Sequence, residues 1–395
     1  MKRILLFAAV FFCFNLFSQN QIDQVFVLNE GYFDYSLNQT VEPVCIGVYD
    51  PSTANYTTID TISGARFASD LIVDDGYFYV AADNMLYKYD KITYDMIDSH
   101  QVDGIRNIAI WNDKLIVSRG DYDNVTFQPI LFNTYLQMFN KSDLTFYAEL
   151  DTISGPKWAT QNIIIDNDKA FVAINNAYEW GNEKGLIGIV DLNTMSYTEL
   201  DLGPDGKNPD NMMKNGDKIY TINNKDWSGM SISEVDINLG TVNTVNQSSI
   251  STGCGTSCMR DGRINYQVSA DTILYEWDVL LQNNSNPIYG FNKSFYALSV
   301  DTINNQLYAS STDYFSYGLI DIYDENNTLL HTFQCGISPG KIVFDLSSNS
   351  TSIGNNINLE YQKNNLYYDL SGKVVSLPLK NRFYIQNNKV IFISK

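Results

Sequence analysis

The side chains that most often carry catalysis are scarce in this chain. It has two histidines, His100 and His331, and five cysteines, Cys13, Cys45, Cys254, Cys258 and Cys335. Both histidines fall on segments that read as outer strands, which makes them structural. No G-x-S-x-G elbow, H-E-x-x-H helix or phosphate-cradling loop is present. Carboxylates are abundant, but nothing in their spacing sets two of them at a glycosidase separation. Asp121, Asp123 and Asn124 have the oxygens to hold calcium, without the glycine and distal glutamate of a full calcium loop. Cys254 and Cys258 have zinc-ligand spacing, with no second pair or nearby histidine to complete four ligands. The expectation is a protein that binds, with no catalytic residue, metal or cofactor.

Residues suited to recognition are common instead. Long polar segments carry rings among amides and carboxylates: Asn29, Tyr32 and Phe33; Arg119 and Tyr122; Asn175, Tyr178 and Trp180; Asn223 and Trp227; Asp313, Tyr314 and Phe315. The stretches between them add Arg106, Trp158 and Tyr289. Rings stack and amides direct hydrogen bonds, so the set suits a flat ligand rich in amides or hydroxyls. Any one ring serves loop packing equally well. Their common place on loops is what points to binding.

Those loops need a scaffold, and the sequence repeats one. An apolar strand, an Asp/Asn/Gly turn, a second strand, a loop and a third strand closing on Asp recur six times, starting near Leu71, Ile108, Ile163, Met212, Cys258 and Tyr296. Four short strands at a spacing of about 40 to 50 residues mark propeller blades. Turns such as Asp74-Asp75-Gly76, Asn112-Asp113, Asn215-Gly216 and Asp261-Gly262 favour hairpins because Asn, Asp and Gly tolerate positive φ. The ends hold fragments of a further copy. Val25, Cys45 and Tyr56 begin its second, third and fourth strands, and GKIVFDL from Gly340 supplies the missing first. The expected fold is therefore all-β, a seven-bladed propeller over residues 24–346, closed by strands from both ends, which removes the exposed edge. A two-sheet sandwich would not explain the matching fragments. Cys45 and Cys335 fall beside this closure, and the reading places a disulfide between them.

Composition narrows the partners. The chain has 395 residues and a formal net charge of −19, which argues against nucleic acid. Apolar residues at 44% suffice for a core, and 27 Tyr with 21 Phe favour pleated surfaces. Lys2 and Arg3 followed by the apolar run Ile4 to Phe17 read as a signal peptide over residues 1–19, so the chain is expected to be exported. The residues before Cys13 are too large for a lipoprotein signal.

Residues 24–346 resemble the YncE-like seven-bladed propellers exported by Bacteroidetes-type bacteria. The opening VFVLNEG from Val25, the turn-flanked strand pairs and Gly336-Ile337-Ser338-Pro339 carry the resemblance. Some of that group look like cobalamin-capturing surface proteins that sit over a TonB-dependent outer-membrane transporter. The resemblance thus implies a corrinoid held by the funnel loops and a place at the outer-membrane surface. A protein-interaction or adhesion module, or a carbohydrate-active protein, would use the same loops. The segment from residue 359 to 395 is similar to type IX secretion sorting domains through Tyr368, Asp369, Leu370, Gly372, Lys373, Tyr384, Ile385 and Lys395. The polar run over residues 347–358 reads as its linker.

Overall fold

The computed structural model describes residues 21–284 and 287–347, together with four short strands between residues 367 and 393. The expected signal peptide lies outside the described residues, as does the expected linker beyond Ser347. Among the described residues no helix is long and apolar enough to cross a membrane.

Seven four-stranded antiparallel sheets form the blades of a propeller. Blade 1 pairs Pro339–Ser347 with Gln21–Asn29, followed by Val44–Asp50 and Asn55–Ile62. Blades 2 to 7 follow in chain order, with innermost strands Ala68–Val73, Ile105–Trp111, Thr160–Asp166, Pro209–Asn215, Cys254–Arg260 and Leu298–Asp301. The closure joins the expected segments: Val25 lies opposite Phe344 and Val27 opposite Ile342. Each innermost strand touches the next around the ring, and the last touches the strand from the C-terminal end.

The driving force sits between blades. Seven apolar clusters fill the seven interfaces, one for each pair of neighbours. Period-two geometry divides a strand between two of them. Phe26 and Leu28 face blade 2, while Val25 and Val27 face blade 7. Inner strands are therefore buried on both faces; every residue of Lys114–Arg119 is buried.

The Asp that closes most third strands has a mechanical role; that of blade 3 ends on Asn140 instead. Asp90, Asp191, Asp236 and Asp278 each accept the backbone N–H groups of the residues two and three positions on. These bonds hold the carboxyls of Asp90, Asp191 and Asp278 below their ordinary value. Asn112, Gly216, Asp261 and Gly262 adopt the positive φ expected of their turns, whereas Gly76 does not.

The expected disulfide is not formed. Cys45 and Cys335 are free thiols, although both line one pocket with Tyr56 at the junction of blades 7 and 1. Burial pushes Cys45 up to about 11 and Cys335 up to about 12, so both stay protonated and poorly nucleophilic at neutral pH. The described tail strands form a separate sheet, ordered Val374–Val375, Tyr367–Tyr368, Arg382–Gln386 and Lys389–Ile393, with Tyr368 opposite Ile385.

The junction of blades 7 and 1 is packed too closely to take another atom at Gly336. A Cβ there would lie 2.6 Å from Cys45 Sγ and 2.7 Å from Asn29 Cβ. Gly336→Ala is expected to cost about 1–3 kcal/mol through overpacking. Urea unfolding of the variant checks this, and an unchanged midpoint would show that the junction has slack.

Candidate functional site

Loops joining second to third strands, and loops joining successive blades, share one face of the wheel. Blade 2 contributes the shortest of the former, a turn at Asp83-Asn84. A hairpin of Tyr32–Asp34 and Gln39–Glu42 rises from blade 1 and reaches the long loop of blade 3, where Asn124 Nδ2 donates to Asn38 Oδ1 at 2.9 Å. The sequence reading treated this segment as loop. Gly31 begins the hairpin at φ 75°, and a Cβ there would meet the carbonyl of Glu42 at 2.5 Å.

The expected binding residues separate into three groups. Asn29, Arg119, Asn175, Asn223 and Asp313 are tied to their own framework. Asn29 Nδ2 donates to the Cys45 carbonyl and to Tyr56 Oη; Asn223 Nδ2 donates to Ser231 and Ser233. Arg119 donates to the carbonyls of Asp103 and Thr134 and lies 4.2 Å from the Phe132 ring. Asn175 Oδ1 accepts from Ala177 N–H. Asp313 caps its own turn, and the bonds from Ser316 and Phe315 hold its carboxyl near 2. A hydrogen-bonding side chain on a loop has been used here to shape the loop.

A second group packs into a connected aromatic cluster. Arg106 lies 4.5 Å from the Tyr178 ring and 4.9 Å from that of Phe67, and its Nε donates to the Gly120 carbonyl at 2.7 Å. Tyr122 stacks on Tyr178 at 6.1 Å. Separately, Lys184 covers the ring of Trp158, Phe33 packs on Tyr35 and Tyr32 meets Phe315 edge-on. The third group is the most exposed, although Phe315 keeps its contact with Tyr32 and Tyr314 meets Tyr296 edge-on. Trp227, Tyr314, Phe315, Tyr289 and Trp180 range from 46% to 80% exposed.

The suggested calcium trio is engaged elsewhere. Asp121 pairs with Arg66 at 2.9 Å, Asp123 caps its own turn and Asn124 holds the hairpin. His100 and His331 lie on outer strands of blades 2 and 7, as expected, and His331 stacks near Tyr49 and Phe333.

Below this rim runs a polar channel with a cavity of about 280 Å³. Strand registers show how the repeat lines it. Ser69, Arg106, Gln161, Asp210, Gly255, Tyr296 and Gly340 occupy one position, once per blade, at the channel mouth. The next position holds Asp70, Asn107, Asn162, Asn211, Thr256, Ala297 and Lys341. Several of these stitch blade to blade: Asp70 accepts Ile108 N–H, Asn162 accepts Met212 N–H, and Thr256 accepts Leu298 N–H. Lys341 Nζ reaches Asp70 at 2.8 Å across the closure.

Two carboxylates at the mouth were not singled out from the sequence. Glu30 Oε1 accepts from Tyr296 Oη at 2.7 Å and lies against Gly340, whose missing side chain makes the room. Burial pushes its carboxyl up to about 7, against the opposing effects of Tyr296 and the Arg106 charge. Asp210 accepts from Asn224 Nδ2 at 3.1 Å and is likewise raised by burial. Both keep some access to water through the channel. The signal for Asp210 was its place in the repeat, aligned with Arg106 and Gln161. Glu30 had no such signal.

No protein-family model matches the chain, and no curated protein does. Among solved structures it is similar to Kluyveromyces lactis Hsv2 (complete loop 6CD), at 9% identity and a TM-score of 0.44, over 65% of this chain and 73% of that one.

The raised carboxyl has a sign that can be tested. The fold holds the Glu30 proton more tightly than the unfolded chain, so this stabilisation is complete below the ordinary value of 4.5 and is lost as pH rises through about 7. It amounts to at most about 3 kcal/mol, less where the channel wets the group. The melting temperature should fall between pH 5 and pH 8, and Glu30→Gln should flatten that fall. An identical slope in the variant would remove Glu30 as its source.

Proposed function

We propose that this propeller captures a small molecule at the rim of its channel and does not transform it. A corrinoid is the first candidate, displayed capture at the outer-membrane surface the setting, and handover to a TonB-dependent transporter the purpose. One observation supports this above the others. Trp180, Trp227, Tyr289, Tyr314 and Phe315 stand exposed on loops that surround a polar mouth. Rings left bare lose the burial that would otherwise stabilise them, and a flat ligand restores it. A ligand broader than the channel must rest on this rim, where rings and amides alternate. The acidic balance of the chain is neutral on this point, because cobalamin is not a polyanion.

A second reading has its own observation. Leu37 and Val41 on the hairpin, and Val125, Phe127 and Leu131 on the loop it touches, are exposed and apolar. Such a surface suits a protein partner. It serves the transporter in the first reading and is the whole site in a protein-interaction module.

Calorimetric titration with cyanocobalamin separates the two readings. Saturable heat with a thermal shift upholds capture; neither effect leaves the protein-docking face. Trp180→Ala or Trp227→Ala should weaken binding about tenfold, the loss of one stacked ring, with little change in melting temperature. A large fall in stability with intact binding would mark these rings as packing.

A further inference from the structure

We infer that the throat below the rim is a separate site for a slender organic cation carrying protonated amines. Position by position, the throat presents acceptors. Asp210 lines the cavity from blade 5, and Glu30 of blade 1 lies against two of its lining residues, Tyr296 and Gly340. Asn107, only 7% exposed, lines the same cavity, and its Oδ1 has no hydrogen-bond partner among the described residues. In the blade-to-blade stitch its counterparts Asp70 and Asn162 each accept a backbone N–H from the next blade. At Asn107 that bond is missing, while its Nδ2 is held by Asp70 at 3.2 Å. A buried acceptor left unpaired costs free energy, and a turn of the side chain that lets a ligand donor reach it would remove that cost.

The nearby cations do not cancel this bias. Lys341 is paired with Asp70. Arg106 is engaged by the Gly120 carbonyl, the Tyr178 ring and, at 4.0 Å, the Asp121 carboxylate, so only part of its charge reaches Glu30. Among the described residues Glu30 accepts from the Tyr296 hydroxyl and Asp210 from the Asn224 amide, and neither carboxylate is in an ion pair. An ammonium supplies both charge and several donors, and enclosure strengthens the attraction relative to bulk water. The cavity, about 280 Å³, has room for a linear diamine.

The inference stands whether or not the rim holds a broad ligand, because it uses none of the exposed rings. The test is calorimetric titration of the full chain with 1,4-diaminobutane at pH 8, beside 1,4-butanediol as an uncharged match. Diamine binding with a stoichiometry of one, at least tenfold tighter than the diol, is expected. Asp210→Asn and Glu30→Gln should each weaken it by tenfold or more while circular dichroism stays unchanged, and Trp180→Ala should leave it as it is. Should a carboxamide variant unfold, competition by spermidine against the diamine in the unaltered protein replaces it, with mutual exclusion expected. Absence of heat, equal binding of diol and diamine, or indifference to both carboxamide substitutions would overturn the assignment. Diamine binding with no response to cyanocobalamin would reject the rim ligand alone.

Discussion

The pairing of Gln21–Asn29 with Pro339–Ser347 is the constraint on which the molecule depends. Each blade buries its two faces against two neighbours, so a wheel lacking one contact exposes apolar surface on both sides of the gap. Blade 1 is the only blade whose strands come from distant parts of the chain. Its second strand turns Phe26 and Leu28 to blade 2 and Val25 and Val27 to blade 7, completing two interfaces at once. The closure also completes the mouth. Glu30 enters from one end of the chain, Gly340 makes space for it from the other, and Tyr296 of the blade 7 approach supplies its hydrogen bond. A ring that failed to close would lose its core contacts and its site together.

The acidity of the chain has two physically distinct sources. Carboxylates at the ends of third strands cap turns, are half-buried and are held below their ordinary values by backbone N–H groups. They account for a repeated feature of the sequence without implying a ligand. Glu30 and Asp210 are raised by enclosure, the opposite direction. Carboxylates that share a residue type are thus separated by environment into a structural set and a set facing the channel. The same division applies to amides. Asn29 and Asn223 brace loops through their Nδ2 groups, whereas Asn107, held by Asp70, lines the throat.

The loop face is built unevenly. The short turn of blade 2 leaves a gap that the blade 1 hairpin crosses, anchored by Asn38 on Asn124. Arg66 draws the same region together by bridging Asp83 and Asp121. This arrangement moves the aromatic cluster of Tyr122, Tyr178 and Arg106 to one side and leaves the barest rings on blades 4 to 7.

Local pattern determined the wheel: alternating apolar runs, Asp-led turns and two complementary terminal fragments are enough to count seven blades and to pair the two ends of the chain in one of them. These are near-neighbour rules, written in consecutive residues. Which side chains face the hollow, and which are consumed in holding loops, depended on distances between residues far apart in sequence. Asn29, Arg119 and Asn223 looked like ligand contacts by type, but folding supplied them with backbone and hydroxyl partners first. Glu30 and Tyr296 stand 266 positions apart and meet only because the wheel closes. Burial, which sets the protonation of Glu30 and keeps Cys45 and Cys335 as thiols, is a property of the assembled surroundings and has no signature in any single segment.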